Sequence, residues 1–129
     1  MLNDTLANAL SLVVNAEKIG KDFCIIKPTS KIIEKVLEIM NNRGYVGKFE
    51  KSPSVGGEEL KLFLIGKVNV CGAIKPRSSL KYEDIEKFEK RFLPAKDFGF
   101  LLISTPHGII TNEEAKKKKI GGVMLAYCY

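Results

Sequence analysis

The residue types best suited to binding chemistry lie together in one short segment, Ser104-Thr105-Pro106-His107-Gly108. Apolar runs at 98–103 and 121–129 flank this segment, so the pattern predicts a loop between two buried strands. Proline stiffens such a loop, proline and glycine together hold its backbone, and we expect the two hydroxyls and the nearby backbone amides to point outward. Donors and acceptors held in this way are suited to reading the edge of an unstacked base or to binding a phosphate.

A second candidate is the basic tripeptide Lys75-Pro76-Arg77, in which proline keeps the backbone extended and both cations project into solvent. Arginine can contact two phosphate oxygens at once, and lysine acts as a movable point charge. The tripeptide is therefore interpreted as a phosphate clamp, and an ordinary solvated turn is the alternative.

Four consecutive lysines, Lys116–Lys119, end a predicted short helix. Neighbouring residues of a helix point in different directions, so at most two of these lysines can face one groove of a nucleic acid. The glycine pair Gly121-Gly122 follows them. It permits either a close backbone approach to a partner or a tight turn into the last strand.

Cysteine and histidine chemistry is not indicated. Cys24, Cys71 and Cys128 lie far apart in apolar runs, and with His107 as the single histidine they are too few and too scattered for a zinc site. Burial is expected to raise the pKa of these thiols and to make them poor nucleophiles. The sequence contains no Walker loop, dinucleotide fingerprint or serine elbow. We therefore expect no catalysis, no cofactor and no metal.

The net charge of +6 on 129 residues is unevenly distributed. Residues 1–65 carry nine Lys or Arg and eight acids, whereas residues 66–129 carry twelve and seven, which gives +1 and +5. A polyanion is expected to bind the second half, and a surplus that serves solubility is the alternative. No run approaches the roughly 20 apolar residues of a membrane span, and the amino terminus does not resemble a signal peptide, so we expect a cytoplasmic protein.

Hydrophobic periodicity predicts the elements that position these segments. In the first half, a helix with Leu6, Ala9, Leu10, Val13 and Val14 on one face is predicted to precede a strand at Phe23–Ile26. A second helix follows, which begins at a Thr29 or Ser30 cap, ends at Gly44 and carries Ile32, Ile33, Val36, Leu37 and Met40. The last element is a hairpin of strands Tyr45–Lys51 and Glu58–Ile65.

In the second half, a helix at Tyr82–Phe92 is expected to stop at Pro94, and Thr111 with Glu114 forms a capping box that starts another short helix.

The predicted class is α+β with two small subdomains. Residues 1–65 form a helix-strand-helix-hairpin subdomain, and residues 66–129 form a mostly antiparallel β subdomain with short helices.

Six segments in order resemble the small-subunit ribosomal protein S8 family in its archaeal and eukaryotic branch. They are Asp4–Leu10 with Asn15-Ala16 in the opening helix, Lys27–Lys31 with Arg43–Tyr45, Lys75–Arg77, Leu93–Phe100, Ser104–Gly108, and Glu114-Ala115 with Gly121-Gly122.

The resemblance implies a structural protein that binds the central domain of small-subunit ribosomal RNA at a helix interrupted by an internal loop. It further implies a role in subunit assembly and contacts with neighbouring small-subunit ribosomal proteins. Carried over to this sequence, the RNA-binding residues are Ser104, Thr105, Pro106, His107, Gly108, Gly121, Gly122, Lys75, Pro76, Arg77 and Lys31. The alternatives are a free translational regulator that binds its own messenger RNA and a protein-interaction module, with a hydrolase as a more distant candidate.

Overall fold

The computed structural model describes residues 5–27, 30–54, 57–74, 77, 79–95 and 98–129. Helices and antiparallel strands occur in both halves of this chain, so the predicted α+β class is confirmed. The chain divides into two compact units between Val70 and Cys71, within the segment that Gly66 and Gly72 flank.

The first unit contains two helices and a three-stranded antiparallel sheet in the order β1-β3-β2. Its elements are α1 (Thr5–Lys18), β1 (Phe23–Ile26), α2 (Lys31–Asn42), β2 (Val46–Ser54) and β3 (Gly57–Leu64). The predicted order of helix, strand, helix and hairpin is confirmed. The hairpin strands continue further into their connection than predicted, up to the pair Ser54 and Gly57.

Local signals fix both ends of α2. The Ser30 hydroxyl accepts a hydrogen bond from the Ile33 backbone N–H at 3.3 Å, so Ser30 is the cap, while the alternative Thr29 lies outside the described residues. At the other end Gly44 adopts a φ of +80°, a conformation that glycine takes without strain.

The predicted apolar faces of α1 and α2 are buried with two exceptions, because Val14 of α1 is half-buried and Ile32 of α2 is exposed. Ile32 is 42% exposed, whereas its neighbour Ile33 is 1% exposed. A helix turns about 100° per residue, which places Ile33, Val36, Leu37 and Met40 within one arc of about 100° and leaves Ile32 outside that arc. The buried set is completed by the inward residues of the sheet, Ile26, Leu60 and Leu62.

The second unit contains a sheet in the order β4-β8-β6-β7, in which β5 also pairs with β8. Its elements are β4 (Cys71–Ala73), β5 (Ser79–Leu80), a single 3-10 turn (Tyr82–Asp84), α3 (Ile85–Phe92), β6 (Phe100–Thr105), β7 (Gly108–Thr111), α4 (Asn112–Lys118) and β8 (Gly122–Cys128).

A core on one face of this sheet joins the strands to α3 and α4. The cluster consists of Ile74, Leu80, Ile85, Leu93, Leu101, Ile103, Ile110, Ala115 and Met124. The Thr111 hydroxyl accepts a hydrogen bond from the Glu114 backbone N–H at 3.4 Å, so Thr111 caps α4 as predicted. The core therefore fixes the position of the β6–β7 connection, which carries the Ser-Thr-Pro-His-Gly segment.

Candidate nucleic-acid interface

The Ser104–Gly108 segment is a tight hairpin turn rather than an open loop. Thr105 pairs with Gly108, and Pro106 and His107 alone connect β6 to β7. Ser104 and Thr105 are therefore the last two strand residues, and successive strand residues project to opposite faces of a sheet. The two side chains cannot act together on one ligand group.

The Thr105 hydroxyl is used inside the turn. Its Oγ1 donates a hydrogen bond to the Gly108 carbonyl at 2.7 Å and accepts one from the His107 N–H at 3.2 Å. Thr105 is buried, with an exposed fraction of 9%. The prediction that both hydroxyls point outward is wrong for Thr105, because the polar backbone groups of this short turn require a partner and the hydroxyl supplies it.

The exposed part of the turn consists of Pro106, His107 and Gly108, and Ser104 beside it is half-buried. Gly108 has a φ of +120°, which favours glycine at this position. The turn thus presents a proline, an imidazole and an open glycine backbone on a rigid strand pair. Such a tip can approach a nucleic-acid groove closely.

The glycine pair Gly121-Gly122 is required by the packing of the chain itself. A Cβ on Gly121 would overlap the Leu80 carbonyl oxygen, and one on Gly122 would overlap the Ser104 carbonyl oxygen. The sequence allowed either a close backbone approach to a partner or a tight turn into the last strand. The structure shows a close backbone approach of these glycines to β5 and β6 of the same chain. These glycines set the strand spacing next to the turn.

Strand pairing brings the segment after Arg77 to the same end of the sheet as the turn. Val123 on β8 pairs with Ser79 on one side and with Ser104 on the other. Adjacent strands lie about 4.8 Å apart, which places Ser79 within roughly 10 Å of Ser104. Arg77 is exposed two positions before Ser79, whereas Lys75 and Pro76 lie outside the described residues.

The remaining predicted cations differ in their surroundings. Lys31 is exposed at the first position of α2, in the first unit. Lys117, Lys118 and Lys119 are exposed at the end of α4. Lys116 instead forms an ion pair with Glu89 of α3, and the two side chains retain 33% and 13% of their exposure. Sequence patterns did not reveal Glu89 as this partner, because the two residues lie on different helices.

Cys24, Cys71 and Cys128 are buried thiols, and a hydrogen bond to Cys71 together with burial raises the pKa of Cys128, as expected for a poor nucleophile. Among the described residues no three potential metal ligands converge. No helix within the described ranges is long and apolar enough to cross a membrane.

Comparison with known proteins identifies the family. The family model described as ribosomal protein S8 matches residues 4–129. The chain belongs to the ribosomal protein S8 family. It is 48% identical to the small ribosomal subunit protein uS8 of Methanococcoides burtonii over 129 residues, which cover 100% of this chain and 99% of the relative. This S8-family chain is thus similar to its archaeal relative along its whole length, and the resemblance that the motifs indicated is confirmed.

Proposed function

We propose that this chain is a structural constituent of the small ribosomal subunit, located in the cytoplasm on the ribosome, which binds the central domain of the small-subunit ribosomal RNA and supports subunit assembly. The observation that carries the proposal is the end-to-end similarity to a protein named for the small ribosomal subunit. The excess of +5 in residues 66–129 supports a polyanionic partner for that part of the chain.

The contact with the irregular part of the RNA is assigned to the C-terminal subdomain, residues 66–129, with the Pro106–His107 turn and Gly108 as its tip. The deep major groove of A-form RNA is too narrow for side chains, so proteins recognise bulged bases, internal loops and the shallow minor groove. A two-residue turn with an open glycine backbone is narrow enough to enter such an irregular site. Ser104 and His107 supply its hydrogen-bonding groups.

The predicted site residues have three different roles in this proposal. Ser104, Pro106, His107 and Gly108 contact the irregular part of the RNA. Thr105, Gly121 and Gly122 hold the turn and its strands in the binding geometry. The cations Lys31, Lys75 and Arg77 contact phosphates, and Pro76 belongs to the same basic tripeptide as Lys75 and Arg77.

Binding to two matched RNAs tests the assignment. One is a central-domain fragment with its internal loop, and the other has the loop replaced by paired bases. The first RNA should bind at least about tenfold more tightly at the same salt concentration, because a regular duplex offers phosphates without exposed bases. Equal affinity for the two RNAs would contradict recognition of the irregular site.

A single substitution tests the role of the turn. Ser104→Ala removes one hydroxyl beside the turn and is expected to weaken binding to the looped RNA by about 1 kcal/mol while leaving the salt dependence unchanged. Ser52→Ala, an exposed serine on β2 in the first unit, serves as the control and should bind normally. A larger loss in the control would place the interface in the first unit.

Sedimentation of cell extract distinguishes the ribosomal role from that of a free regulator. A subunit constituent travels with the small subunit, whereas a free regulator of its own messenger RNA, or a protein-interaction module, stays near the top of the gradient. Neighbouring small-subunit proteins are the protein partners expected in the first case.

A further inference from the structure

Two of the three cysteines face each other across neighbouring strands of the second unit. In the antiparallel pairing of β4 with β8, Cys71 is directly opposite Cys128. Cys24 lies on β1 in the first unit and takes no part in this pairing.

The hydrogen-bond pattern shows which kind of pair the two cysteines form. The Ile74 N–H donates to the Leu125 carbonyl at 2.9 Å, which makes Ile74 and Leu125 a hydrogen-bonded pair. Such pairs alternate with non-hydrogen-bonded ones along an antiparallel ladder, so Cys71 and Cys128, three positions away, are a non-hydrogen-bonded pair. Their Cα atoms are then about 4.5 Å apart with side chains close together, within the range that a disulfide spans.

The two thiols interact with each other. A side-chain hydrogen bond with Cys71, together with burial, raises the pKa of the Cys128 thiol. Cys71 is 6% exposed and Cys128 is 1% exposed. Neither the proposed RNA contact nor the core cluster uses these two sulfur atoms.

We propose that Cys71 and Cys128 form a dithiol site that a low-molecular-weight disulfide, such as oxidised glutathione, converts to an intramolecular disulfide between β4 and β8. The two cysteines are already directly opposite each other in the β4–β8 register, as a bond between these strands requires. The inference is independent of the RNA-binding proposal.

The reaction is a thiol–disulfide exchange in two steps. Cys71 loses its proton and attacks one sulfur of the small disulfide, which forms a mixed disulfide and releases one thiolate of the reagent. Cys128 then loses its proton and attacks the Cys71 sulfur, which forms the internal bond and releases the second reagent thiolate. The two protein protons end on the two released thiols, and the reagent disulfide takes up the two electrons.

Access to the buried thiols comes from β4. This strand has three residues and pairs with β8 alone, at the edge of the described sheet. Short edge elements open locally at a lower free energy than central strands, so Cys71 is the residue that the reagent reaches first. Exchange is therefore expected to be slow in the native protein but specific for this pair.

The full-length protein tests the site directly. The native chain is incubated with oxidised glutathione, then unfolded, alkylated and digested. We expect a protein lighter by two hydrogen atoms, with one alkylated cysteine, Cys24, and a peptide pair linked through Cys71 and Cys128. Cys24→Ser should give the same linkage, and Cys71→Ser or Cys128→Ser should abolish it.

Melting curves provide a second, independent measurement. A bond between Cys71 and Cys128 closes a long loop, so the oxidised protein should melt about 5 to 15 °C above the reduced protein. The proposal is overturned by a disulfide that includes Cys24, or by a glutathione adduct that persists without forming the internal disulfide. It is also overturned if all three cysteines of the native protein are alkylated under conditions that oxidise the protein in urea.

Discussion

The Asn112 side-chain oxygen accepts a hydrogen bond from the Leu101 backbone N–H at 3.0 Å. Both residues are buried, Asn112 at the start of α4 and Leu101 at the second position of β6. This bond fixes α4 against the strand that leads into the Pro106–His107 turn. The position of the candidate interface thus depends on a buried polar contact between a helix and a strand.

Asn112→Ala should destabilise the protein by about 1–3 kcal/mol, because it leaves the Leu101 N–H buried without its partner. The free energy of unfolding in urea measures the effect. Lys117→Ala on the exposed face of the same helix is the control and should change stability by no more than about 0.5 kcal/mol. Equal losses in the two variants would show that helix propensity, and not the buried contact, determines the result.

Gly122→Ala should destabilise the protein by at least about 1–3 kcal/mol, since the new methyl group meets the Ser104 carbonyl of a paired strand. Gly72→Ala is a matched control on the same sheet. Its methyl group would lie 3.1 Å from the Tyr127 hydroxyl, the end of a side chain that can move. Thermal melting should show a smaller loss for Gly72→Ala, and the reverse order would contradict the role assigned to Gly122.

Much of the fold follows from local sequence patterns. The spacing of Val36, Leu37 and Met40 predicts the buried face of α2, and Ser30 and Gly44 predict its ends, because these features depend on residues within one or two turns. The hairpin of β2 and β3 follows in the same way from strand patterns separated by turn residues.

The parts that the sequence did not predict depend on contacts between distant residues or on turn geometry. Thr111 and Glu114 were interpreted as a capping pair, but nothing in that motif shows that Asn112 between them reaches β6. The prediction of an outward-pointing hydroxyl is wrong for Thr105. A two-residue turn, unlike a longer loop, brings the His107 N–H and the Gly108 carbonyl to that side chain. The number of residues in the turn decides where the Thr105 hydroxyl points, and the flanking apolar runs alone do not determine that number.

Thr105→Val removes both hydrogen bonds of the turn while keeping the shape of the side chain, and it should cost about 1–3 kcal/mol of stability. Thr105→Ser keeps the hydroxyl and should cost less than half as much. Amide hydrogen exchange at His107 provides a local measurement, since its N–H should exchange faster in the valine variant alone. Unchanged exchange in the valine variant would exclude the internal role of the hydroxyl.

Arg77 and Lys116 are both cations of the second unit, but the structure predicts opposite consequences of their removal. Arg77 is exposed and is assigned to a phosphate, so Arg77→Ala should reduce the slope of log affinity against log salt by about one unit. Lys116 pairs with Glu89 in a partly buried setting, so Lys116→Ala should keep the salt slope and lower stability by about 1–2 kcal/mol.

The stability loss in Lys116→Ala arises from the Glu89 carboxylate, which is 13% exposed in the native ion pair and loses its cation in the variant. The double variant Lys116→Ala with Glu89→Gln removes that charge and should recover part of the lost stability, whereas Arg77→Ala with Glu89→Gln should show no such recovery. Salt-dependent RNA titrations and urea unfolding on the same four proteins separate the two effects. A reduced salt slope in Lys116→Ala would show that this lysine leaves Glu89 and contacts the RNA, which would extend the interface onto α4.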